Sequence, residues 1–363
     1  MSEASRGWAG IRRLGIGLGV LVGLGFAATR LHSVEDYFST RVAKARLKPA
    51  YGDVTGDDAM HVIVCGSGSP LPSPERSQAC VVVFAAGHGY VFDTGMGSVE
   101  NITTWRLPSE RIEHVFYTHF HSDHIADLYE LNLSGWVTGR PGPLQIHGPP
   151  GVETVVQGFQ QAYAHDRGYR VGHHGAELLP PSHGDLGAVP FEYPSARKVI
   201  HTDGEVTVSA FPVQHEPVEP AVGYRVDYRG RSVVISGDTI KSDTLIDASQ
   251  GADLLLHEAL APHMVARLKG LTEQAGLKRV TKIFADIPDY HTSPVEAAEV
   301  ANEAGVQKLV LYHLAPAPPH VGMAERIFLR GVSAVRSGVT LARDGSAYVL
   351  PVGDDSIRVV ASP

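Results

Sequence analysis

The sequence predicts an α/β protein of four layers, two β-sheets packed face to face with helices outside, an αββα sandwich. Strand-like runs followed by helical stretches occur twice along the chain, which reads as two similar halves. The 363 residues, 43% hydrophobic and 19% charged, suit one large α/β domain of about 300 residues behind a short leader, with enough apolar material for a core.

The leader comes first. Residues 14–28, LGIGLGVLVGLGFAA, form an uncharged apolar run directly after Arg12 and Arg13, the order of the positive and hydrophobic regions of a secretory signal. The run is short of the ~20 residues that a membrane span needs. Residues 1–35 are therefore read as a signal peptide or an N-terminal membrane anchor, with Gly25 and Ala27 permitting cleavage after Ala27. The expected location is exported: periplasmic, or tethered through residues 14–28 and facing out of the cytoplasm. Residues 36–60 read as a short helix and then a linker, broken by Pro49 and Gly52.

The main domain is expected over 61–363. Its first half has strand-like runs at 61–65, 80–84, 90–93 and 114–118, with helices at 123–136 and 151–164. A second series follows, with strands at 205–211, 222–228, 232–238, 254–258 and 308–313, and helices near 262–276 and 294–304.

Charge and cysteine content narrow the function. A formal net charge of −8 argues against a chain whose main work is holding a polyanion, because neutralising phosphates needs a basic surface. Nucleic acid is accordingly not expected as a partner. Two cysteines, Cys65 and Cys80, exclude a disulfide scaffold and a cysteine-based zinc site, and leave room for one bridge in an oxidising compartment. Nineteen histidines stand against 31 lysines and arginines, so the spacing of the histidines must decide what they do.

The strongest spacing is THFHSDH at 118–124, which places His119, His121, Asp123 and His124 just after an apolar strand. Imidazole and carboxylate groups suit zinc, and a loop lets alternate residues turn inward to one small volume. Downstream, His215, Asp238 and His313 each stand where a β run stops, as does the DTG at 93–95. Strand ends are where side chains of an α/β scaffold gather into a site.

On these residues the chain resembles the metallo-β-lactamase superfamily over about 61–350. The resemblance implies that His119, His121 and His215 hold one metal ion, that Asp123, His124 and His313 hold a second, and that Asp238 bridges them, with two Zn2+ as the expected cofactors. It implies that Asp93 orients ligands without binding metal. GSGSPLPSPERSQA (66–79), HEA (257–259) and YHTSP (290–294) are similar to stretches of the ribonuclease Z and type II arylsulfatase branch. That branch implies His291 and Glu258 as a proton-delivery pair, and a carboxylate bonded to imidazole does fix its tautomer and raise its basicity.

The departures matter too. Asp238 follows His215 by only 23 positions, too short an interval for the long arm with which bacterial ribonuclease Z grips tRNA. Ala126 replaces a glycine common in the branch. Asp238 argues against a true β-lactamase, and the HEA and YHTSP stretches argue against glyoxalase II and the lactonases. The expected activity is a dinuclear zinc-dependent hydrolase of small phosphodiester or sulfate esters using a metal-activated water. Asp123 would accept a proton, and His291 with Glu258 would protonate the leaving oxygen. A lactone or thioester hydrolase with the same metals is the enzyme alternative, and a metal-binding scaffold the non-enzyme one. The expected partner is a small-molecule ester, and the oligomeric state stays open, a homodimer included. His173 and His174, with Asp166, Arg167 and Arg170, are read either as a lid over the site or as an ordinary helix end; His257 and His320 are expected to pack or face solvent.

Overall fold

The computed structural model describes residues 32–361, and these divide at Gly52. The first part holds helix α1 (His32–Arg46). The apolar run 14–28 lies outside the described residues, and among the described residues no helix is long and apolar enough to cross a membrane.

The second part begins at Asp53. Its first half runs β1 (Ala59–Gly66), β2 (Cys80–Ala85), β3 (His88–Phe92), α2 (Ser98–Thr104), β4 (Ile112–Phe116), α3 (Ser122–Ile125), α4 (Leu128–Thr138), β5 (Leu144–Gly148), α5 (Val152–Ala162), α6 (Ala164–His174) and β6 (Leu186–Pro190). The second half runs β7 (Lys198–Asp203), β8 (Val206–Pro212), β9 (Val222–Tyr228), β10 (Arg231–Ile235), α7 (Asp243–Ala248), β11 (Leu254–Leu260), α8 (Pro262–Gln274), α9 (Lys278–Asp286), α10 (Pro294–Glu303), β12 (Lys308–Ala315), α11 (Gly322–Phe328) and β13 (Thr340–Leu341). The closing strands β14 (Ala347–Pro351) and β15 (Arg358–Val360) return to the first sheet beside β1.

Two sheets result, in the orders β15-β14-β1-β2-β3-β4-β5-β6 and β13-β12-β11-β10-β9-β8-β7. Strand alternation explains why each is apolar on both faces. In β10, Val233 and Ile235 point into the core between the sheets, with Phe92, Phe116 and Tyr224. Val234, between them, joins the outer layer with Leu255, Leu309 and Leu311 against Ala297, Ala298, Val300 and Ala301 of α10. The small side chains of α10 let it lie close on the sheet, and Ser293 starts it with a capping box closed by Glu296. This is the four-layer arrangement expected.

Strands β3 to β6 run parallel in one sheet, and β10 to β13 in the other. Their carboxyl ends supply the loops that carry chemistry. The helix expected over 123–136 is two helices, α3 and α4, interrupted at 126–127. Strands β5, β6, β7, β13, β14 and β15 and helices α2, α7, α9 and α11 were not foreseen as elements; most are short or carry histidines and charges that blur the alternation.

Cys65 and Cys80 form a disulfide at the base of the 66–79 loop. That loop is tied to the far end of the chain, since Asp344 accepts hydrogen bonds from the backbone N–H and hydroxyl of Ser67 and from the backbone N–H of Ser77.

Candidate metal centre

The site is built at strand ends, where the loops after the strands bring its side chains together. Asp93 follows β3 and is held in the left-handed region at φ 60°. Its carboxylate accepts from the backbone N–H of Thr118 at 2.9 Å and the Thr118 hydroxyl at 2.8 Å, locking the start of the histidine loop. His124 Nδ1 also lies 2.8 Å from Asp93 Oδ2. Donating there through Nδ1, His124 turns its Nε2 inward. Gly95 is required by proximity: a Cβ there would sit 2.2 Å from the backbone oxygen of Asp123. His313, at φ 45°, is a second left-handed residue. Such strain costs about 1–3 kcal/mol per residue and persists only where surrounding structure enforces it.

Four imidazoles surround one oxygen. Asp238 Oδ2 lies 3.9 Å from His119 Nε2, 3.5 Å from His124 Nε2, 3.8 Å from His215 Nε2 and 3.5 Å from His313 Nε2. His313 Nε2 is also 3.2 Å from Asp123 Oδ2, and His119 Nε2 is 2.9 Å from His121 Nδ1. His215 donates through Nδ1 to the backbone oxygen of Tyr290 at 3.0 Å, so its Nε2 likewise presents a lone pair. All of these side chains are buried except His121, which is exposed.

Two compact donor groups emerge, His119, His121, His215 and Asp238 on one side, and Asp123, His124 and His313 on the other, with the donor atoms of each within 4.8 Å of one another. The buried His124 Nε2, His215 Nε2 and Asp238 Oδ1 have no hydrogen-bond partner. Buried polar atoms are normally partnered, and imidazole lone pairs around a shared carboxylate are the donor chemistry of a divalent ion. Burial holds His119 well below the usual histidine range, and it lowers His121 and His215 as well, which favours the neutral, ligating form.

Beside this group stands the pair named from HEA and YHTSP. Glu258 is fully buried on β11, and its Oε1 accepts from the Thr292 backbone N–H at 2.8 Å and from His291 Nδ1 at 3.1 Å. Burial alone would lower His291; Glu258 and Asp238 outweigh it and raise the imidazole to about 9. With Nδ1 held, Nε2 is the nitrogen free to exchange a proton. His291, Asp238 and His313 also bring donor atoms within 4.8 Å of one another.

Every residue expected at the site thus converges on it. Thr118 and the Tyr290 carbonyl were missed, because a hydroxyl beside a carboxylate and a backbone oxygen leave no mark in residue spacing. His173 and His174 end α6, which buries no residue, while Asp166 pairs with Arg170 within the helix at 2.8 Å; the helix-end reading describes them. His257 is fully buried, and His320 sits near Glu75.

Comparison with known proteins gives the family and the fold. A family model described as "Beta-lactamase superfamily domain" matches residues 88–314. The chain belongs to that superfamily, with the metallo-β-lactamase fold, and is a metal-dependent hydrolase acting on ester bonds. Within it, a ribonuclease Z of Mycobacterium bovis is 37% identical over 261 residues, covering 71% of this chain and 87% of the relative, and a ribonuclease Z of Mycobacterium marinum is 33% identical over 267 residues at the same coverage. Among solved structures, YhfI of Bacillus subtilis superposes with a TM-score of 0.57 at 22% identity, over 80% of this chain and 100% of that one. The short form of human tRNase Z gives 0.56 at 24%, over 80% and 99%.

Two expectations are corrected by these relatives. The exclusion of nucleic acid falls, because the matching proteins are named for cleaving RNA. It rested on the summed charge of −8, and a sum says nothing of the local field at a site. The exported, periplasmic or membrane-anchored location falls as well: the relatives are ribonuclease Z enzymes, and the run that suggested export lies outside both the described residues and the matched domain. The signal peptide and the arylsulfatase side of the resemblance likewise find no support in these matches.

Proposed function

We propose that this chain hydrolyses phosphodiester bonds with two zinc ions, one held by His119, His121 and His215, the other by Asp123, His124 and His313, with Asp238 between them. The observation that carries the reading is the single Asp238 oxygen lying 3.5–3.9 Å from four imidazole nitrogens. When bound, two such ions polarise a phosphoryl oxygen and make water nucleophilic near neutral pH.

The chain's own groups do the rest. Asp93, through Thr118 and His124, fixes the orientation of the histidine loop. Asp123 accepts a proton from the attacking water. His291 donates from Nε2 to the departing oxygen, while Glu258 holds Nδ1 and stabilises the protonated ring.

RNA is the first substrate class to test, since the relatives are named ribonuclease Z. A small phosphodiester or sulfate ester is the second reading, favoured by the 22 residues between His215 and Asp238, which include all of β9 and β10 and leave no separate arm. The test offers zinc-loaded chain a precursor tRNA, a small chromogenic phosphodiester, a sulfate ester, a lactone and a thioester under identical conditions. Cleavage of either phosphodiester, lost in Asp238→Ala, supports the reading. Turnover confined to the lactone or thioester would replace it.

A further inference from the structure

Away from this site, the rim of the core between the sheets holds a second cluster of imidazoles. His114 on β4, His147 on β5 and His201 on β7 occupy inward-facing positions: His147 pairs in register with Phe116, and His201 with Val208, both core residues. Ring centroids lie 4.2 Å apart for His114 and His201, 5.0 Å for His147 and His201, and 5.2 Å for His114 and His147. Positions that elsewhere along these strands carry Phe or Val here carry three polar rings.

Hydrogen bonding within the protein does not satisfy them. One contact joins two of the rings, His114 Nδ1 to His147 Nε2 at 3.0 Å. His147 Nδ1 and His201 Nε2 are buried without a partner, and an unpartnered buried polar atom is costly. Burial lowers His114 to about 4 and His147 to about 3, and lowers His201, so all three rings are neutral at pH 7 and each offers a lone pair. One nitrogen from each lies within 4.8 Å of the others. The 3.0 Å separation is close to the roughly 3.3 Å between two nitrogens on one tetrahedral zinc ion.

We propose that His114, His147 and His201 form a third metal site, for a zinc-like divalent transition ion, that ties the first sheet to the edge strand of the second. Imidazole-only ligation selects zinc, copper or nickel and disfavours magnesium and calcium, which need oxygen ligands. His201 is half-buried, which gives the ion a way in and leaves its fourth position to water. Negative charge stands on the same rim: Asp203 accepts from the Tyr90 hydroxyl at 2.9 Å, and His88 Nδ1 lies 3.3 Å from Glu113 and 3.8 Å from Asp203. The three histidines stand 33 and 54 residues apart, so no local motif announces them.

The test strips the full chain with chelator, returns zinc alone, and measures ions per chain and the zinc-dependent rise in melting temperature. The wild type should hold one ion more than His201→Phe, which keeps a ring against Phe116, and hydrolysis should stay within twofold. Asp238→Ala, which disables the catalytic pair, should still take up the rim ion. Cobalt bound by Asp238→Ala should give visible absorption that disappears when His201→Phe is added. Should His201→Phe fail to fold, His147→Gln serves in its place. Equal ion counts and equal melting responses in wild type and rim variant would overturn the third site while leaving the catalytic reading untouched.

Discussion

His291→Ala should slow the hydrolysis of phosphodiesters with alkyl leaving groups far more than of those that release nitrophenol. An alkoxide leaves poorly without a proton, whereas nitrophenolate departs unaided. A positioned acid contributes about 10²–10⁴-fold, or ~3–5 kcal/mol off the barrier, so the alkyl ester should lose that much and the nitrophenyl ester less than about tenfold. The structure adds a complication with a remedy. Removing the ring leaves the fully buried Glu258 carboxylate with the Thr292 N–H at 2.8 Å and the Thr239 N–H at 3.4 Å as its remaining donors. Stripping a buried charge of its partner destabilises by about 3–5 kcal/mol, less where other donors remain. Glu258→Gln removes the charge and keeps an oxygen that can accept from all three donors, and the double variant completes a thermodynamic cycle. If the two residues act as one device, the double variant should be little slower than His291→Ala alone. The assay is kcat/KM for a matched pair of diesters across the four proteins, with urea unfolding to separate folding from chemistry. Equal loss on both esters would refute proton donation and leave His291 a structural role.

Other consequences follow from the same contacts. Asp238→Ala removes the oxygen shared by four imidazoles, so elemental analysis should show metal content falling by more than one ion per chain, with turnover abolished. Asp93→Ala frees Thr118 and His124 from their common acceptor and should weaken metal affinity by about 10–100-fold in a competition titration with a chelating dye, with the fold retained. Cys65→Ser opens a disulfide whose partners stand 15 residues apart, which should lower stability by about 3 kcal/mol and shift the urea midpoint down under non-reducing conditions.

What could be read in advance was local. THFHSDH packs four donors into seven residues, and His215, Asp238 and His313 each follow an apolar run, so the strand ends could be seen without the sheet order. The convergence of His291 on Glu258 was legible only through the family resemblance, because 33 residues separate them and a lone histidine carries no such signal. The rim cluster was invisible for the same reason, with each member hidden in a different strand. In β5, LQIHG, the histidine and glutamine mask a short buried strand, and β7 alternates too weakly to be seen. Charge misled in a different way: a net value of −8 describes the whole surface, whereas binding answers to the local field at one site.

The central claim, that the metal centre around Asp238 cleaves phosphodiesters, is tested most directly by the rate of diester hydrolysis as zinc is removed and returned. Activity should vanish in chelator, return when zinc is added back to the wild type, and never return in Asp238→Ala at any zinc concentration. Undiminished hydrolysis by the metal-stripped chain, or full recovery by Asp238→Ala, would contradict it.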